Sequence, residues 1–394
     1  MIKREHYLSK IRPFYDSDLI KIITGIRRSG KSVIMKQIIE ELENENKSCL
    51  FIDFEIRKNR VDIPNADSLI SYVENHISDR KLYVFLDEIQ NIDGWNEACR
   101  TLRLKNCSIF ITGSNSKLLS REFTKELSGR YVSFVVRPFV YKEAKELAKQ
   151  LNRNYTPSDY LIWGGFPASI EYDNLNNLKV YLNDLNETII YNDLENRYNI
   201  RKKDIFERVV DYVLVSNARI VSARSICDYM KSQGVTVSVP TVIKYLSYLE
   251  EAYLIKNVSL YSTKSKSKLN YYYKIYDEDV SFNSLRVSDG RYDLAHNIEN
   301  IVYNELIYKG YEVTVFNNKG REIDFRVNKD GKTYLIQVAY SVVEEKTYKR
   351  EFSAFDKLDN SMKKIIITND DVDYSTSTVE HIKFSDFLVS DDFT

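Results

Sequence analysis

Over the first 137 residues, apolar and polar positions follow two rhythms in turn. Short apolar runs recur at Ile20–Thr24, Cys49–Phe54, Leu82–Leu86, Ile109–Thr112 and Tyr131–Val136. Between them the apolar residues change to helical spacing. Ile34, Ile38 and Leu42 mark one helix face, and the segments Ser68–Ile77, Trp95–Leu104 and Lys117–Phe123 continue the alternation. Strand alternating with helix predicts an α/β domain whose parallel sheet is covered by helices on both faces.

The first strand leads into Gly25-Ile-Arg-Arg-Ser-Gly-Lys-Ser32, which fills every position of G-x-x-x-x-G-K-[ST]. A buried strand ahead of it and a helix behind it supply the context of a phosphate-binding loop. In such a loop the backbone N–H groups and the helix N-terminus face the phosphates. The candidate nucleotide-binding set is Gly25, Ile26, Arg27, Arg28, Ser29, Gly30, Lys31, Ser32 and Val33. Lys31 is placed to bind the β- and γ-phosphates and Ser32 to ligate Mg²⁺. The loop cannot say whether Arg27 and Arg28 contact nucleotide or pair with Asp53 or Glu55.

Lys81-Leu-Tyr-Val-Phe-Leu-Asp-Glu88 is an apolar strand ending in two acids. Asp87 is expected in the metal shell, and Glu88 beside the water that attacks the γ-phosphate. Resemblance to P-loop ATPases with an extra strand between the loop strand and the acidic strand implies the sheet order 5-1-4-3-2. Asp53 and Glu55 fall near the same rim and are read as solvating it. Cys107-Ser-Ile-Phe-Ile-Thr-Gly-Ser-Asn115 ends in small polar residues, so Asn115 or Ser114 is the candidate sensor of the γ-phosphate. Leu127-Ser-Gly-Arg130 offers Arg130 as a finger toward a neighbouring subunit, which implies a homo-oligomer; an isolated surface arginine is the alternative.

Pro138 marks a boundary. Residues 138–195 read as a helical lid, broken at Trp163-Gly-Gly-Phe-Pro167. Residues 196–285 read as a winged helix: a helix at Ile205–Val215, a second around Ser222–Met230, a third opened by Pro240, and a basic hairpin. Lys256, Lys264, Lys266, Lys268 and Lys274 alternate with Tyr261, Tyr271, Tyr272 and Tyr273 along that hairpin. This is the candidate DNA-phosphate contact, and a protein contact remains the other reading.

Residues 286–394 lay out a helix with Glu299 or Glu305, a strand with Asp324, then a strand with Gln337-Val-Ala339. The arrangement resembles restriction-endonuclease-like folds, in which the last motif is [E/Q]-x-K. Ala339 stands where the lysine belongs, so a catalytically dead module is expected. Lys332 and Lys346 are the lysines considered as substitutes.

The chain's totals narrow the classes. Its 57 basic and 57 acidic residues cancel, so any nucleic-acid contact is a local patch. Cys49, Cys99, Cys107 and Cys227 lack metal-ligand spacing and read as reduced thiols of a cytoplasmic protein. Four scattered histidines argue against a His-rich zinc site. No apolar run approaches the roughly 18 residues of a membrane span.

Together, Gly25–Ser32, Leu86-Asp-Glu-Ile-Gln90, Thr112–Asn115, Leu127–Arg130, Gly164–Pro167, Arg321–Phe325 and Ile336–Tyr340 resemble a bacterial and archaeal family of AAA-type ATPases. The resemblance spans nearly the whole chain. It implies ATP and Mg²⁺ as cofactors, ATP hydrolysis, a winged helix and a degenerate nuclease-like end. No N-K-x-D guanine-reading loop is found, which prefers ATP to GTP. Other readings are a small-molecule kinase, an active Mg-dependent nuclease regulated by ATP, and a signalling ATPase scaffold with no DNA role.

Overall fold

The computed structural model describes residues 2–114, 129–262, 273–287, 289–318, 321–356, 358 and 362–393. Two compact units emerge. One is Met1–Pro138 with Glu251–Tyr253; the other is Phe139–Glu250 with Leu254–Thr394.

In the first unit, α1 (Glu5–Ile11) precedes β1 (Ile20–Thr24) and α2 (Lys31–Asn44). Then come β2 (Ser48–Asp53), α3 (Arg57–Asp62), α4 (Ala66–Glu74), β3 (Leu82–Asp87), α5 (Trp95–Arg103), β4 (Cys107–Gly113) and β5 (Tyr131–Val135). All strand pairings are parallel, and the order β2-β3-β4-β1-β5 is the expected 5-1-4-3-2 of a P-loop NTPase sheet. The three inner strands β1, β3 and β4 are buried at every position. This is why they appear in the sequence as unbroken apolar runs rather than alternating ones. One face packs Ile20, Ile22, Val84, Leu86, Ile109 and Ile111 against Leu69, Val73, Ala98, Cys99 and Leu102 of α4 and α5. The helix expected at Lys117–Phe123 lies outside the described residues.

The second unit opens with α6 (Tyr141–Gln150), α7 (Pro157–Trp163), α8 (Leu175–Thr188) and a π-helical stretch Ile189–Asn196. The break after Trp163 has a steric cause. A Cβ on Gly164 would stand 1.9 Å from Asp279 Oδ1, and one on Gly165 would stand 1.9 Å from the Phe139 carbonyl oxygen. The Gly165 N–H donates to Asp279 Oδ2 at 2.7 Å, and Phe139 N–H to the Gly165 carbonyl at 2.7 Å.

The chain continues through α9 (Lys203–Val215), β6 (Arg219–Val221), α10 (Ala223–Ser232), α11 (Val239–Glu251), β7 (Ile255–Ser262) and β8 (Tyr273–Asp277). The short α12 (Ser281–Ser284) and the long α13 (Leu294–Tyr308) come next. After them run β9 (Glu312–Asn318), β10 (Arg321–Lys329), β11 (Lys332–Val338), α14 (Glu345–Ser353), β12 (Lys363–Thr368), β13 (Val379–Lys383) and α15 (Phe384–Val389). One sheet holds them all, in the order β13-β12-β11-β10-β9-β7-β8-β6. Strand β7 joins the two groups by parallel pairing to β9, so the hairpin is continuous with the C-terminal strands. The four cysteines carry no disulfide, and Cys99, Cys107 and Cys227 are buried. Among the described residues, no helix is long and apolar enough to cross a membrane.

Candidate nucleotide-binding site

Strand β1 ends at Thr24, and the chain turns at once through Gly25 with φ +140° and Gly30 with φ +97°. Both angles are open to glycine and hostile to L side chains. Helix α2 begins at Lys31, directly after Gly30, so its first N–H groups point into the loop. Lys31 is buried, and its ammonium donates to the carbonyls of Gly25 and Ile26, both at 3.1 Å. The loop is thus held closed around its own lysine. The Ser29 hydroxyl, within the loop, is buried without a hydrogen-bond partner. Arg27 pairs with Glu55 at 3.4 Å, the acid-pairing alternative for that arginine.

The acids arrive from β3, two strands away across the sheet. Asp87 and Glu88 are both buried, at the same C-terminal edge as the loop. Asp87 accepts hydrogen bonds from the Thr112 hydroxyl and from Ser32. Burial raises its pKa above the ordinary carboxylate value; those two hydrogen bonds oppose the shift, and the charges of Glu88 and Asp53 add to it. A hydroxyl and a carboxylate in contact form a donor set that suits a hard divalent cation. Glu88 sits in the left-handed region at φ +50°. Its N–H donates to Thr112 Oγ1 at 2.9 Å, and its carboxylate accepts from Gln90 Nε2 and from Ser114 Oγ at 3.4 Å. Ser114 therefore reaches Glu88, whereas Asn115 lies outside the described residues. Asp53 caps its own turn by accepting the Glu55 N–H at 2.7 Å.

A family model described as "AAA domain" matches residues 17–145, a span that includes Gly25–Ser32, Asp87, Glu88 and Arg130. An uncharacterized protein of Haemophilus influenzae is 32% identical over 383 residues, covering 93% of this chain and 93% of its own. The chain belongs to this AAA-domain family. The uncharacterized protein MJ1544 of Methanocaldococcus jannaschii is 31% identical over 390 residues, covering 89% of this chain and 82% of its own. A second family model, described as a domain of unknown function (DUF8612), matches residues 155–286. Among solved structures, the Walker-type ATPase paby2304 of Pyrococcus abyssi aligns with 73% of this chain and 96% of its own, at 19% identity and a TM-score of 0.48.

The AAA domain includes residues that sequence reasoning missed. Arg4 is almost wholly buried. Its Nη1 donates to the Ser29 carbonyl at 2.9 Å and to the Arg137 carbonyl at 3.0 Å, and its guanidinium lies 4.5 Å from the centre of the Tyr7 ring. Arg4 thereby ties the phosphate loop to the segment after β5. Tyr7, Leu8 and Ile11 carried an amphipathic helix signal, but nothing local to Arg4 marked its partner 25 residues away. Arg4→Ala is expected to strand two carbonyls, to cost about 2–4 kcal/mol, and to weaken ATP binding. Denaturant unfolding and nucleotide titration check this, and unchanged values in both would remove Arg4 from the site's support. The Tyr253 hydroxyl donates to Thr24 Oγ1 at 2.9 Å, at the last residue before the loop. It too was invisible in the sequence.

Arg130 is exposed, and its carbonyl accepts the Ile20 N–H at 3.0 Å. That places it at the start of β1, the edge opposite Gly25. Five residues of strand separate the two edges, about 16 Å. This is too far for the side chain to serve its own chain's loop.

The C-terminal acids form a second cluster, with corrections to the sequence reading. Glu299, Asp324 and Gln337 do come together and line an open cleft of about 850 Å³ with Glu322, Ala339 and Arg350. Glu305 does not join them; it accepts the Tyr141 N–H at 3.0 Å and pairs with Lys309 at 3.5 Å. Lys332 and Lys346 are both exposed, and the lysine that meets these acids is Lys274 on β8. Lys274 is therefore not a DNA-phosphate contact: it is only 3% exposed and ion-paired to three carboxylates. Lys256 pairs with Glu250 at 2.7 Å. Lys264, Lys266, Lys268, Tyr271 and Tyr272 lie outside the described residues, as does the side chain of Tyr261.

Proposed function

We propose that this AAA-domain protein is a Mg²⁺-dependent ATPase that couples its nucleotide state to a DNA-binding C-terminal region. The observation that carries the reading is the meeting of Lys31 and Ser32 with Asp87 and Glu88 at one edge of a parallel sheet. Loop amides from Gly25 to Val33 cradle the phosphates, and the Lys31 ammonium leaves its two loop carbonyls for β- and γ-phosphate oxygens. Ser32 and Asp87 would hold a Mg²⁺ ion, which would supply neutralisation of phosphate charge when bound. Glu88 orients the attacking water, with Ser114 or Asn115 sensing the γ-phosphate. A carboxylate in that place serves hydrolysis rather than transfer to a bound small molecule. Arg130, remote from its own loop, acts as a finger toward a second copy.

The succession α9, β6, α10, α11, β7 and β8 supports the winged-helix reading. With Lys274 buried and Lys256 paired, the phosphate contact of that module rests on Lys264, Lys266 and Lys268. The test is ATP turnover with and without double-stranded DNA over a salt series. Stimulation that falls steeply as salt rises is expected. Turnover indifferent to DNA at low salt would replace DNA with a protein partner, and no turnover at all would remove the hydrolase reading.

A further inference from the structure

The Lys274 ammonium lies among three carboxylates. It is 2.7 Å from Glu299 Oε1, 2.6 Å from Glu322 Oε1 and 3.0 Å from Asp324 Oδ1. An ammonium has three N–H donors, and each has a carboxylate acceptor. Asp324 Oδ2 takes the Val338 N–H at 2.9 Å, and Glu299 Oε1 also takes the Tyr276 hydroxyl at 2.7 Å. The Gln337 amide faces inward, its oxygen accepting the Asp324 N–H at 3.3 Å and its nitrogen donating to Glu351 at 2.7 Å. The cleft is lined by Glu299, Glu322, Asp324 and Gln337 but not by Lys274, which reaches the acids from behind. A lysine there does not touch a phosphodiester entering the cleft. Among the described residues, no group of three or more His, Cys, Asp or Glu is arranged to hold a metal ion.

We propose that Lys274 is the resident cation of this cluster: its tethered ammonium occupies the place of a divalent ion among Glu299, Glu322 and Asp324 and keeps such an ion out. Because the lysine is covalently attached, the three acids meet it at a high effective concentration, and metal in solution competes poorly. The inference does not depend on the ATPase reading.

The test is Mn²⁺ binding to the full-length, nucleotide-free chain, followed by electron paramagnetic resonance. Lys274→Met is expected to bind one more Mn²⁺ than the unaltered chain, and Lys274→Met with Asp324→Asn is expected to lose that gain. Equal binding by the unaltered chain and a folded Lys274→Met chain overturns the proposal. Should Lys274→Met fail to fold, the unaltered chain is compared with Asp324→Asn alone: equal Mn²⁺ binding supports the proposal, and a drop in Asp324→Asn overturns it. Amine acylation read by peptide mass spectrometry gives a further check. Lys274 should react at least tenfold more slowly than the exposed Lys346, and equal reaction rates would overturn the assignment.

Discussion

A Glu88→Gln chain is expected to bind ATP about as well as the unaltered protein and to hydrolyse it about 10²–10⁴-fold more slowly. The substitution keeps shape and hydrogen-bonding reach while removing the negative charge that orients and polarises water. Binding should survive because, on the proposed reading, the phosphates are held by Gly25–Val33 and Lys31, which the substitution leaves unaltered. The carboxylate is well supported for this role. Thr112 fixes its backbone N–H at 2.9 Å, while Gln90 and Ser114 both donate to its Oε2. Its left-handed backbone, at φ +50°, is a strained conformation for a non-glycine residue and is maintained by those contacts. Single-turnover hydrolysis beside a nucleotide titration separates the two effects. A Glu88→Gln chain that turns over ATP at the ordinary rate would exclude Glu88 from the chemistry.

The second large effect belongs to Gly25→Ala. A Cβ at Gly25 would stand 2.0 Å from the Val136 carbonyl oxygen and 3.0 Å from its carbon. That carbonyl has little freedom to move, because the Val136 N–H donates to the Thr24 carbonyl at 2.7 Å and continues the β1–β5 pairing. The φ of +140° adds backbone strain that alanine does not relieve. The base of the loop must therefore shift away from β5, taking the phosphate-facing amides with it. A stability loss of roughly 3–5 kcal/mol is expected, with at least a hundredfold loss of ATP affinity. Gly129→Ala is the control. It has φ +72° but nothing within 4 Å of its Cβ, so it should cost only about 1 kcal/mol of backbone strain and leave binding unchanged. Calorimetry with ATP and denaturant unfolding on both variants make the comparison. Equal behaviour of the two would sink the steric argument.

Much of the first unit was legible before any coordinates, because its determinants are local. Ile20–Thr24, Leu82–Leu86 and Ile109–Thr112 are apolar throughout because inner parallel strands are covered on both faces. The order 5-1-4-3-2 followed from the resemblance to P-loop ATPases, and the structure has that order. The WGGFP interruption was also visible, since two glycines and a proline end a helix whatever surrounds them. Its steric reason, the approach of Asp279 and Phe139, was not.

The chain's sequence by itself determined the α/β class and the parallel strands that bring Gly25–Ser32, Asp87 and Glu88 to one sheet edge. Each is written within a few residues and depends on backbone geometry or on one period of burial. Only the tertiary structure decided that Arg4 braces the loop, that Arg130 stands at the opposite edge of its sheet, and that Lys274 serves buried acids rather than DNA. These assignments join residues 25 to 133 positions apart. A side chain's charge says that it needs a partner, but folding alone chooses which partner the burial brings within reach.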